Sequence, residues 1–253
     1  MATLEQILSH TTMLCYPGGT SGQHVISTLH HCRHFAKYDK LDISTTGSVP
    51  RRPYWPFNER QFVVKLPHQA ITTFGTGPIE WIPTEENRQW LRTQTWRWFM
   101  RRWRDEAIMP IDQALAEGKQ LVFHSHLGND FLQWLLPEAR KLFMLTKNSY
   151  FGMRADAVKN WDKHPTEPDK LLRYLVMRTG WHVHWSREIK FDYPNSTTFQ
   201  WSDFVTEDRS TFEKCLRNVV AWHGFEIEPD EMAAAWEGTC RYVAAQKKVG
   251  LLF

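Results

Sequence analysis

The chain has 253 residues, 42% of them hydrophobic, and a formal net charge of +3. That length buries one sizeable core and is short for two independent ones, so one domain over residues 1–253 is expected. The mild charge does not argue for a nucleic-acid partner, and none is expected; it leaves room for a local basic site for a phosphorylated ligand.

The opening "MATLEQILSH" lacks the basic-then-apolar order of a secretory signal, and no apolar run approaches the ~18 residues that span a bilayer. The expectation is a cytoplasmic protein without membrane contact. Cys15, Cys32, Cys215 and Cys240 are scattered and form no Cys-x-x-Cys pair, so they are read as reduced, buried thiols and no metal site is expected.

The first informative stretch is "TTMLCYPGGTSGQHVISTLHHC", residues 11–32. An apolar run stops at Pro17, passes through Gly18, Gly19, Thr20, Ser21 and Gly22, and resumes with Val25, Ile26 and Leu29 at helical spacing. The order is strand, glycine loop, helix. At such a junction the first helix amides lack intrahelical partners and form a concave anion site, with Gln23 and His24 as further donors. A phosphate is the expected guest.

Residues 39–60 are rich in turn formers and read as a long loop. "QFVVKL" reads as a strand closed by Pro67. Thr84 can cap a Trp/Arg-rich helix over about 85–109, on which Trp96, Phe99 and Trp103 fall on one face and Arg97, Arg101 and Arg104 on the other. That pattern is an amphipathic packing helix in preference to a base-stacking surface. Pro110 should split it and Gly118 should end the helical region.

"QLVFH" and "KLFMLT" read as short buried strands delivering "HSHLGND" and "KNSYFGMRADAVKNW" at their carboxyl ends. "TTFQWSDF" reads as a further strand, followed by helices over "RSTFEKCLRNVVAWHG" and "PDEMAAAWEGTCRYVAAQKK". Such alternation predicts a three-layer α/β fold whose mostly parallel central sheet is flanked by helices and gathers ligands at its strand carboxyl ends.

The order of motifs resembles the sulfotransferase family of P-loop folds. "YPGGTSGQHVIS" resembles that family's opening "P-K/R-S-G-T-T" loop, "FHSHLGND" its histidine strand end, "LFMLTKNSYFG" its basic strand end, and "FQWSDF" its late "Y-E-D-L". The resemblance runs over most of the chain through short motifs. It implies binding of 3′-phosphoadenosine 5′-phosphosulfate (PAPS) at Gly18, Gly19, Thr20, Ser21, Gly22, Gln23 and His24, with His126 as the catalytic base. Lys147 occupies the place of an arginine that clamps the 3′-phosphate. The serine expected eight positions later is Ala155, beside Arg154. The family's loop lysine is absent, so the cation must come from elsewhere or be dispensed with, and Lys65 is one candidate for a catalytic role.

The activity so implied is transfer of a sulfuryl group from PAPS to a hydroxyl or amine of a small-molecule or carbohydrate acceptor, without a metal. Two alternatives carry different expectations: a P-loop kinase using ATP and magnesium, and a noncatalytic nucleic-acid- or protein-binding module on the same fold. Gln23 stands where "G-x-x-x-x-G-K-[ST]" requires lysine, which counts against the kinase.

Overall fold

A computed structural model describes residues 2–16, 22–36, 85–86, 88–89, 92–93, 110–125, 130–145 and 193–248. The chain begins with α1 (Leu4–Ser9), which has a complete capping box: the Thr3 hydroxyl accepts from the Gln6 amide and the Gln6 side chain accepts from the Thr3 amide. Sequence reading passed over this helix, although Thr3 and Gln6 stand at the capping-box spacing.

Strand β1 (Thr11–Cys15) follows at once and is buried along its whole length. Its two threonines enter the core with partners. Thr11 Oγ1 donates to the Ile7 carbonyl at 2.8 Å, and Thr12 Oγ1 lies 2.9 Å from His223 Nε2. Helix α2 spans Gly22–Leu29.

After Pro110 come α3 (Ile111–Ala116) and β2 (Leu121–Ser125). Gly118, at φ 66°, turns the chain between them, as its lack of a Cβ allows. Helix α4 (Asp130–Leu135) leads to β3 (Arg140–Leu145). Asn195, at φ 59°, opens β4 (Ser196–Gln200); asparagine is one of the few residues that visits this region readily.

The expected continuation of that strand through "WSDF" is corrected. Trp201–Phe204 forms a short helix, α5, because Phe204 turns into the core and the Trp201 carbonyl accepts from the Val205 amide at 2.8 Å. Helices α6 (Arg209–Trp222) and α7 (Pro229–Lys248) complete the described chain. Asp208 caps α6 by accepting from the Ser210 and Thr211 amides, and the Thr211 and Ser210 hydroxyls that also donate to it, followed by those amides, lower its carboxyl pKa.

Among the described residues all three strand pairings are parallel and the order is β2-β1-β3-β4. The fold is therefore α/β, as the alternating pattern predicts. One sheet face, through Leu14, Val122, Leu142, Met144 and Phe199, belongs to a continuous core with α2, α6 and α7. Lys141, Phe143 and Cys15 belong to the opposite set of alternating positions, and all three are buried as well. Burial on both faces is what a parallel sheet requires.

The described residues between 85 and 93 are helical, as expected. One of them is a buried arginine. Arg92 makes a two-pronged bond to Glu138, each N···O distance 3.0 Å, and donates to the Leu135 carbonyl at 2.9 Å. Residues 39–60, the "QFVVKL" segment and Trp96–Arg104 lie outside the described residues.

Cys15, Cys32 and Cys215 are buried free thiols, but Cys240 is exposed on α7, which corrects the expectation that all four are buried. Among the described residues no helix is long and apolar enough to cross a membrane.

Candidate functional site

The strand order gives the sheet a point of reversal. The chain leaves β1 toward β2 on one side, then crosses back to place β3 on the other side of β1. In open parallel sheets the connections diverge at such a point, and the crevice beyond the strand carboxyl ends there receives ligands. Here it lies beyond β1 and β3.

Register makes this local. Cys15, the last residue of β1, aligns with Ser125 on β2 and Phe143 on β3, and Leu145 at the end of β3 aligns with Gln200 at the end of β4. The glycine-rich stretch begins three residues after Cys15, His126 is the residue after Ser125, and Lys147 comes two residues after Leu145. Three motifs chosen from sequence alone thus leave three adjacent strands at one edge of the sheet. Gly18, Gly19, Thr20, Ser21, Lys65, His126, Lys147, Arg154 and the Gln23 side chain lie outside the described residues.

Gly22 and His24 are described. Gly22 opens α2 with the ring of Tyr16 packed so closely against its Cα that a side chain would run into Tyr16 Cζ, Cε1 and Cε2. The ring is itself 2% exposed. Glycine is thus required here by close approach, and the contact ties the helix start to the residue that follows the strand. Tyr16 was not foreseen, since a tyrosine beside a proline carries no distinctive sequence signal.

His24 lies in the first turn of α2. Its ring is buried and stacked on Tyr242 of α7, with centroids 4.0 Å apart and planes 2° apart. Nε2 lies 3.2 Å from Thr239 Oγ1. Burial lowers its pKa to about 3, with the nearby His31 adding to the effect. The ring is thus neutral and held by Tyr242 and Thr239 of α7.

Neither Lys141 nor Arg140 replaces the missing loop lysine. Lys141 is 1% exposed, and its Nζ donates to the carbonyls of Leu136 at 2.7 Å and Pro137 at 3.3 Å. Burial lowers its pKa to about 8, against the opposing influence of Cys15 and Glu138. It sits beside Met13 near the amino ends of the strands, at the far edge from the crevice. Arg140 shares that edge, donating to the Trp222 carbonyl at 3.3 Å with its guanidinium 5.7 Å from the Trp222 ring centroid.

Among the described residues no group of three His, Cys, Asp or Glu side chains could hold a metal ion. A scan of known protein families finds no model that matches the chain, and no curated protein and no solved structure matches it.

Proposed function

We propose that this chain is a PAPS-dependent sulfotransferase of P-loop type, acting through a single domain on a hydroxyl or amine of a small-molecule or carbohydrate acceptor. The observation that carries the reading is that β1, the strand running into the glycine loop, lies at the reversal point of an all-parallel sheet, with α2 starting at Gly22 immediately beyond. Amides at the start of α2 and in the loop from Gly18 to Ser21 would receive the 5′-phosphosulfate. Lys147 and Arg154 would bind the 3′-phosphate, Lys147 as a point charge in place of a guanidinium fork.

In the reaction the acceptor oxygen or nitrogen forms a bond to sulfur as the sulfur–oxygen bond to the 5′-phosphate breaks. His126 takes the proton lost by the acceptor, a role suited to an imidazole whose ordinary pKa is about 6.5. The electron pair of the broken bond leaves on the phosphate of adenosine 3′,5′-bisphosphate, where Lys65 and the loop amides would stabilise it.

Calorimetry with adenosine 3′,5′-bisphosphate tests the binding half. The wild type should bind it more tightly than ATP with magnesium, and Gly19→Asp, which brings a carboxylate into the cradle, should lose binding while keeping its melting temperature. Preference for ATP with magnesium would favour the kinase reading. No binding of either nucleotide, with a salt-sensitive oligonucleotide complex instead, would favour the noncatalytic one. The catalytic half is separate: His126→Ala should retain the bisphosphate and lose sulfuryl transfer.

A further inference from the structure

Four consecutive carbonyls at the end of α4 meet a row of cations. Arg88 Nε donates to the Trp134 carbonyl at 2.8 Å and Arg92 Nη1 to the Leu135 carbonyl at 2.9 Å. Lys141 Nζ donates to the carbonyls of Leu136 at 2.7 Å and Pro137 at 3.3 Å. Carbonyls at a helix end lack intrahelical partners and must find donors elsewhere. Two of these three cations are guanidinium groups, which keep their charge at every working pH. Lys141 is the member that can lose a proton.

Its surroundings favour that loss. Lys141 is 1% exposed on β3. Among the described residues its ammonium meets two acceptors, both neutral carbonyls, and pairs with no carboxylate, since that of Glu138 is taken by Arg92. An ammonium brings three N–H donors and an amine two. The third donor is the one without an acceptor, and the two that remain after deprotonation match the two carbonyls one for one. A buried charge with incomplete hydrogen bonding costs more than the neutral group in the same place.

We infer that Lys141 is a proton-operated latch between the end of α4 and β3, most stable as the neutral amine, so that the junction strengthens as the solution turns mildly alkaline. Burial lowers its pKa to about 8, against the opposing influence of Cys15 and Glu138. Each packed element contributes a group that faces it or its partners. β1 brings the Cys15 thiol, which burial keeps un-ionised. The junction brings Glu138, whose carboxyl burial would raise and Arg92 holds below its ordinary range. The helical residues at 85–93 bring Arg88 and Arg92, α1 brings Glu5 at 3.9 Å from Arg92, and the start of β4 brings only the Asn195 carbonyl, to the Lys141 main-chain amide. None of these side chains changes charge between pH 7 and pH 9.5. A lysine in the unfolded chain titrates near about 10.4. Between the two values the unfolded chain holds a proton that the folded chain has given up, and stability rises with pH.

Two measurements on the full chain test this. NMR of lysine labelled at Cε, with the Lys141 signal assigned by connectivity along β3, reads the proton directly. The signal should titrate near pH 8, and titration above pH 10 would overturn the inference. Urea denaturation of wild type and Lys141→Met at pH 7 and pH 9.5 reads the stability. The buried thiols ionise on unfolding and pull stability the other way, so the two proteins are compared at each pH. Over that interval the folding equilibrium constant of wild type should gain about twentyfold on that of the variant, and a gain below about threefold would refute the latch.

The same comparison in a Cys15→Ala background should give the same gain. A gain that vanishes there belongs to the thiol and overturns the inference. Should the methionine variant not fold, the NMR titration of wild type decides alone. Lys141 lies at the edge of the sheet remote from the crevice, so these outcomes are independent of the proposed activity.

Discussion

Two buried histidines should make the protein sensitive to mild acid. His24 is 8% exposed and His223 is 4% exposed; burial lowers their pKa values to about 3 and about 4. His223 Nδ1 lies 2.8 Å from the Val219 carbonyl, which only accepts, so Nδ1 carries the proton and Nε2 accepts from Thr12 Oγ1. That carbonyl favours protonation and nearby Arg140 disfavours it, leaving burial dominant.

Both folded-state values lie below the ordinary value of about 6.5, so the unfolded chain binds protons that the folded chain refuses. Stability is full above pH 6.5 and falls as pH drops toward the folded values. Between pH 7 and pH 5 the linkage relation gives a loss of about 2 kcal/mol per histidine, or about 4 kcal/mol for the pair. That is a large share of an ordinary domain's stability of about 5–15 kcal/mol.

Urea denaturation at pH 7, 6 and 5 measures it directly. His24→Phe keeps a ring against Tyr242, and His223→Gln keeps hydrogen-bonding groups near Thr12 and Val219; each should remove about half of the pH dependence. A double variant that loses stability as steeply as wild type over this range would refute the reasoning.

Arg92→Met leaves the Glu138 carboxylate without its guanidinium. Burial alone would raise the Glu138 pKa, and the Arg92 hydrogen bonds hold it below the ordinary value. The substitution should cost about 3 kcal/mol at pH 7 by urea denaturation, and no change would show the pair to be dispensable. Gly22→Ala should destabilise by about 1–3 kcal/mol through collision with Tyr16. Tyr16→Leu in that background should recover part of the loss, and equal stability of Gly22→Ala and wild type would remove the close-approach argument. Thiol titration of the folded protein should modify Cys240 alone, and all four cysteines after denaturation; rapid modification of Cys15 would contradict its burial.

Much of the fold was legible because it follows from short-range chemistry. The helix over 229–248, the turns at Gly118 and Gly224, and the two strands that deliver the basic and histidine motifs all announce themselves through periodicity and glycine placement. The end of β4 did not, since "TTFQWSDF" is apolar enough for either a strand or a helix turn. Only the core position of Phe204 decides between them. The surroundings of the His24 ring were hidden for a similar reason: its place in the first turn of α2 is local, whereas Tyr242 and Thr239, which meet the ring, lie more than two hundred residues away.

By itself the sequence determined the class of the fold, the strand at 11–15, the helix at 22–29 and the order of motifs, because local periodicity and backbone freedom are written residue by residue. Tertiary structure alone decided that β1 lies between β2 and β3, that Tyr16 closes on Gly22, and that Lys141 meets the carbonyls at the end of α4. Strand order and the pairing of buried polar atoms depend on contacts between residues far apart in the chain, and no local pattern encodes which distant partner a side chain will meet.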